Sequence, residues 1–223
     1  MKKVLSFSMI VFLSMALTGP VTRAQAQWAI SPQVIVSVPT SDFANVRETG
    51  GGFGLKVVRQ TAALDGGLGL RGDFGFLTFG KTTNLFFDPT FGTIPVETRN
   101  ESFRFVFGPQ YRFGGRTLKF FVGANGGAFF YRTTVNARLG VTGQNLGSNS
   151  LDSKWALGWN VGAGFQYDIG LGPWIDVGFA YQTVHNVPEA LDDNTMNDPD
   201  KNVPDITAHE FTIKFGVVIF IGR

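Results

Sequence analysis

The sequence has no cysteine, which excludes disulfides and every thiolate metal site. Histidine is nearly missing as well, with only His185 and His209 in 223 residues. After residue 26 no segment reads as an amphipathic helix. A surplus of positive charge is also absent once the N-terminus is set apart. Residues 1–26 hold Lys2, Lys3 and Arg23 and no acid, so 19 basic residues less these three leaves 16, against 17 acidic ones. Nucleic acid is therefore not an expected partner, since that requires clustered surplus Lys and Arg.

The N-terminus explains where the missing charge went. Lys2 and Lys3 precede an apolar stretch from Val4 to Leu17, then Gly19-Pro20, then Ala24-Gln25-Ala26. This is the layout of a secretory signal peptide, with small residues where a signal peptidase cuts. The apolar stretch is shorter than the roughly 20 residues a membrane-spanning helix needs. The expectation is a cleaved signal at 1–26, export through the Sec pathway, and one domain over 27–223.

Phenylalanine and glycine are both abundant, at 23 and 29 residues. Their arrangement follows a period of two, which marks strands whose faces meet different surroundings. From Trp155 to Ile169 the odd positions are Trp155, Leu157, Trp159, Val161, Ala163, Phe165, Tyr167 and Ile169. The even positions between them are small or polar, among them Gly158, Asn160, Gly162, Gly164, Gln166 and Asp168. Residues 102–113 and 209–221 repeat the pattern, and weaker versions occupy about 28–38, 52–61, 67–80 and 174–185. Residues 117–132 are ambiguous, because Phe120-Phe121 and Phe129-Phe130 put aromatics on both faces. That gives eight strands.

The connections expected between them run 39–51, 62–66, 81–101, 114–116, 133–153, 170–173 and 186–206, so long and short alternate. If every strand reverses direction, all long loops gather at one end and all tight turns at the other. Outer-membrane barrels have this asymmetry. A lipocalin-like barrel with its bulk inward is the soluble rival. Volume opposes it, because eight strands enclose a bore only just wide enough for side chains. Bulk outward and glycine inward also sends Lys56, Arg71, Asp73, Arg104, Lys119, Asp168, Asp176, Glu210 and Lys214 into the lumen as a structural charge network. On the lipid side at mid-depth each such charge would cost about 2–4 kcal/mol. Trp28, Trp155, Trp174, Tyr167 and Tyr181 fall near strand ends, where aromatic girdles meet headgroups.

On these residues the chain resembles the small eight-stranded outer-membrane β-barrel superfamily that includes the OmpA transmembrane domain, OmpX and opacity-type proteins. Lys214-Phe215-Gly216-Val217-Val218-Ile219-Phe220-Ile221 is similar to the family's C-terminal assembly signal, with Lys214, Gly216, Ile219 and Ile221 at its defining positions. Members usually end on an aromatic, where this chain has Ile221-Gly222-Arg223. Pro39-Thr40-Ser41-Asp42-Phe43 resembles the family's first outer turn. The resemblance implies a closed, all-β, antiparallel up-and-down barrel in the cell outer membrane, with short periplasmic turns and long extracellular loops. It also implies outer-membrane lipids, lipopolysaccharide, the barrel-assembly machinery and periplasmic chaperones as partners.

Motifs of other functions fail on inspection. Gly67-Leu68-Gly69-Leu70-Arg71-Gly72 matches a dinucleotide fingerprint but lies within a strand, without the helix that would hold a pyrophosphate. His209-Glu210 starts a zinc-protease motif, yet Ile213 stands where the second histidine belongs. Asp198, Asp200 and Asn202 have the spacing of calcium-loop ligands, but Val203 replaces the turn glycine and the better reading is a solvated acidic loop. No cofactor is expected.

Three functions remain. The first is a non-enzymatic envelope protein whose long loops contact host or cell-surface ligands, with Phe86, Phe87 and Phe91 as an apolar loop patch. The second is a narrow channel for small hydrophobic molecules. The third is a lipid-A-modifying enzyme built on His185 or His209, which lacks a serine beside the histidine.

Overall fold

The computed structural model describes residues 28–41, 43–44, 47–61, 67–88, 92–138, 145–170, 172–188 and 205–221. Eight strands follow in order: β1 (Trp28–Thr40), β2 (Gly50–Gln60), β3 (Leu68–Asp88), β4 (Gly92–Gly114), β5 (Leu118–Arg138), β6 (Asn145–Asp168), β7 (Trp174–Pro188) and β8 (Asp205–Ile221). Each pairs antiparallel with the next, and β8 pairs with β1, so the sheet closes into a barrel without an edge. Closure gives the backbone N–H and C=O groups of the wall partners within the sheet.

The two faces divide as the alternation requires. Phe103, Phe105, Phe107, Trp155, Leu157, Trp159, Phe215 and Ile219 are exposed on the outer wall. Gln33, Lys56, Arg71, Gln110, Asn160 and Thr212 are buried inside. The ambiguous strand β5 resolves the same way, with Phe121 and Phe129 buried in the bore and Phe120 exposed outside.

Barrel dimensions follow from the register. One row of paired residues leaves Phe165 on β6 and passes through Val177, Phe215, Val34 and Phe53. It continues through Phe76, Phe103 and Phe130 and returns to β6 at Trp155. The return lands 165 − 155 = 10 residues from the start. With eight strands, that offset tilts each strand by about 40° and gives a radius of about 8 Å. Such a bore is filled by side chains.

The short connections β2–β3, β4–β5 and β6–β7 gather at one end, called here the turn end, together with Trp28 and Ile221. At the opposite, open end the structure departs from expectation. The connections expected at 81–101 and 133–153 are mostly strand, because β3 and β4 pair out to Asp88 and Gly92, and β5 and β6 out to Arg138 and Asn145. Only residues 89–91 separate β3 from β4. The four middle strands, 21 to 24 residues long, project beyond β1, β2, β7 and β8, which have 11 to 17. In these stretches the sequence alternates only weakly, so the pattern gives no strand signal.

Close strand approach explains some of the inward glycines. A Cβ on Gly127 would lie 2.0 Å from the Phe105 carbonyl oxygen, and one on Gly108 2.0 Å from that of Ala124. Nothing larger than hydrogen fits at either position.

Candidate functional site

Charged side chains fill the middle of the bore. Lys56, Arg71, Asp73, Arg104, Asp176, Glu210 and Lys214 are all buried there. Arg71 donates two hydrogen bonds to Asp73, Nε to Oδ1 at 3.0 Å and one terminal nitrogen to Oδ2 at 2.7 Å. Lys214 Nζ reaches the same Oδ2 at 3.0 Å. Lys56 forms an ion pair with Asp176, whose Oδ2 also accepts from Ser31 Oγ at 3.0 Å and Gln33 Nε2 at 2.7 Å. Glu210 accepts from Ser37 Oγ at 2.7 Å, Tyr131 Oη at 3.2 Å and Gln182 Nε2 at 3.3 Å, and Gln182 Oε1 accepts from Arg104 at 3.2 Å. Buried charges persist only when paired and hydrogen-bonded in this manner.

Two of the nine residues assigned to this network lie elsewhere, at the turn end. Lys119 is half-buried with its ammonium 5.8 Å from the Trp174 ring centroid. Asp168 accepts the Gly170 backbone N–H at 2.8 Å and so tightens the turn from β6 to β7. Both face inward by parity, but the network is built on strand interiors and these two sit where strands begin and end.

Two apolar clusters bracket the charges. Toward the open end Ile35, Phe43, Leu77, Phe79, Val106, Phe129, Tyr131, Val184 and Val187 pack together. Phe43 comes from the β1–β2 connection, where residues 43–44 make a scrap of helix that turns its ring into the mouth of the bore. Arg47 follows it in, its guanidinium carbon 5.2, 5.5 and 5.1 Å from the ring centroids of Phe43, Phe79 and Tyr131. Stacking of this kind suits a planar, delocalised cation. At the turn end Ala29, Val58, Trp174 and Val218 form a second seal, with Phe220 edge-on to Trp174 at 5.5 Å. Here the girdle expectation for Trp174 is corrected, since the residue is 5 % exposed and faces inward. Its even-numbered position on β7 puts it on the face of Asp176, and the bore is widest for a large ring at its rim. Neither seal carries a periodic signature, since each is assembled from single positions on separate elements.

Outside, the remaining girdle candidates behave as their positions demand, with Trp28, Trp155, Tyr167 and Tyr181 exposed. Of the assembly-signal residues, Lys214 is buried, Gly216 packs against the Pro32 carbonyl, and Ile219 and Ile221 are exposed on the wall. Phe86 and Phe87 have their backbone in β3, opposite Ile94 and Thr93. Their side chains, Phe91 and the acidic stretch around 189–204 lie outside the described residues.

His209 Nδ1 lies 2.9 Å from Tyr181 Oη and 3.3 Å from Thr183 Oγ1, and its ring stacks on Tyr181 at 6.0 Å. His185 is exposed on the wall. Among the described residues no group of three or more His, Asp or Glu side chains converges to hold a metal.

Known structures supply the comparison. No protein-family model and no curated protein matches the chain. Ail, the attachment invasion locus protein of Yersinia pestis, solved with the heparin analogue sucrose octasulfate, is similar at 14% identity and TM-score 0.49 over 87% of this chain and 99% of that one. A major outer membrane protein of Thermus thermophilus is similar at 14% identity and TM-score 0.47 over 87% and 99%. Neisserial surface protein A follows at 13% identity and TM-score 0.39 over 86% and 96%. The closed, antiparallel eight-stranded barrel is fixed by the chain's own strand register. What this barrel does rests on its own residues.

Proposed function

We propose that this protein is an integral outer-membrane barrel without enzymatic activity, which reinforces the envelope and offers its projecting strands and connections to other surfaces. The row from Phe165 to Trp155 carries the reading. Nine outward positions in succession are Phe, Val or Trp. At a tilt of about 40° an offset of ten residues climbs about 25 Å, the height of the apolar band in transmembrane barrels. A soluble protein exposes contiguous apolar patches of only a few hundred Å².

On this reading the signal at 1–26 is removed during Sec export, chaperones carry the chain across the periplasm, and the segment at 214–221 is presented to the assembly machinery. The turn end faces the periplasm. A tilted strand crosses the bilayer in about 9–11 residues, so β6, with 24, stands well clear of it. In the projecting sheet, among the described residues, β3 beyond Phe79 runs without pairing to β2, and β6 before Leu157 without pairing to β7. Such edges offer backbone donors and acceptors to an added strand. The alternative of a passage for small hydrophobic molecules is opposed by the two seals and the charges between them.

Outer-membrane fractionation with heat modifiability on SDS gels tests the embedding. The barrel is expected in the outer-membrane fraction, with a shifted mobility before boiling. Recovery as a water-soluble monomer without detergent overturns it. Trimming the β3–β4 hairpin at residues 82–98 is expected to leave that mobility shift intact and to abolish adhesion to cells or matrix. Unchanged adhesion removes the surface role.

A further inference from the structure

Two arginines mark one side of the outer wall at the height where the apolar row ends. Arg132 on β5 faces outward and is exposed, between Glu101 of β4 and Ser153 of β6. Among the described residues no carboxylate engages it, because Glu101 turns to Arg99, Oε1 to Nε 3.2 Å. Arg99 is itself half exposed and also reaches Thr78 Oγ1 at 3.4 Å. Given the strand tilt, both Cα positions lie within about 5 Å above the level of Trp155. In the register Lys81 of β3 lies opposite Arg99.

Directly below the arginines the apolar row is aromatic. Rings of Phe76, Phe103, Phe130 and Trp155 follow one another at centroid separations of 4.8, 6.3 and 5.1 Å. Trp155 is 60 % exposed. The four rings span β3 to β6, a face about 14 Å wide, which offers room for several acyl chains side by side. Cations above and rings below complement a phosphate attached to more than one pair of chains. Guanidinium groups bind phosphate through paired hydrogen bonds, and aromatic rings pack against hydrocarbon.

Building on the outer-membrane reading, we propose that Arg132 and Arg99 bind a phosphate of a lipid A molecule in the outer leaflet, with its acyl chains lying on Phe103, Phe130 and Trp155. The site is on the open-end half of the wall, which that reading places in the outer leaflet.

Native mass spectrometry of the barrel in detergent, titrated with lipid A, dephosphorylated lipid A and phosphatidylglycerol, tests the site. The wild type is expected to retain lipid A and to lose it when the phosphates are removed. Arg132→Gln should reduce retention about tenfold, and the pair with Arg99→Gln further, since each removes charge-assisted hydrogen bonds to the phosphate. Heat modifiability run beside the titration shows each variant folded. Retention unchanged in a folded double variant overturns the site, as does equal retention of phosphatidylglycerol. A chain that never shows the folded mobility shift sinks the membrane reading instead.

Discussion

Lys214 on β8 donates a hydrogen bond across the bore to Asp73 on β3, Nζ to Oδ2 3.0 Å, joining strands three places apart in the ring. Lys56 with Asp176 joins β2 to β7, Arg104 with Gln182 joins β4 to β7, and Tyr131 with Glu210 joins β5 to β8. The interior is thus cross-braced. Asp73 serves two cations, whereas Lys214 serves one anion that Arg71 already grips. Asp73→Ala is therefore expected to cost about 3–5 kcal/mol by leaving buried charge uncompensated. Lys214→Met should cost much less. Urea unfolding in detergent micelles measures both, and equal losses would show that Arg71 does not hold Asp73 as described.

Phe43 seals the open end from outside the sheet. Phe43→Ala is expected to destabilise the barrel by about 3 kcal/mol and to expose residues 41–49 to added protease, while the strands stay resistant. The wild type should be electrically silent in planar bilayers. Regular conductance steps from the unaltered protein would contradict the two seals.

Glycines on the wall differ in what they tolerate. A methyl group at Gly127 meets the Phe105 carbonyl at 2.0 Å, and one at Gly51 meets nothing within 4 Å. Gly127→Ala is expected to lose about 1–3 kcal/mol through forced backbone movement. Gly51→Ala should change stability by less than about 0.5 kcal/mol. Unfolding curves that fail to separate these two variants would refute the close approach of β4 and β5.

Tryptophan fluorescence reports orientation. With brominated lipids in the bilayer, Trp155 is expected to be quenched strongly and Trp174 weakly, each read in a chain whose other tryptophans are phenylalanine. Strong quenching at Trp174 would place it on the outer wall after all.

Most of this fold is legible in the sequence wherever a strand divides the exposed outer wall from the buried bore. Trp155–Ile169 is the best example, since every odd residue there meets one medium and every even residue another. The pattern fails where that division fails. Residues 81–88 and 145–153 pair as strands although their alternation in sequence is weak. Phe43 and Arg47 acquire their places from a connection folding inward, and no local spacing announces that. Trp174 misleads because a bulky ring near a strand end has two homes, girdle and rim, and parity with Asp176 decides between them. The inward set of charges can be read from parity alone, but their partners depend on a ten-residue offset that only the closed register supplies.

Cross-bracing has a consequence for how the wall is completed. Asp176, Glu210 and Lys214 all reside on the last hairpin, while their counterparts Lys56, Tyr131 and Asp73 are delivered earlier. A chain stalled before that hairpin holds Lys56 without the Asp176 carboxylate that neutralises it. Insertion of the final two strands therefore works as a latch, and half-zipped intermediates are disfavoured in oil.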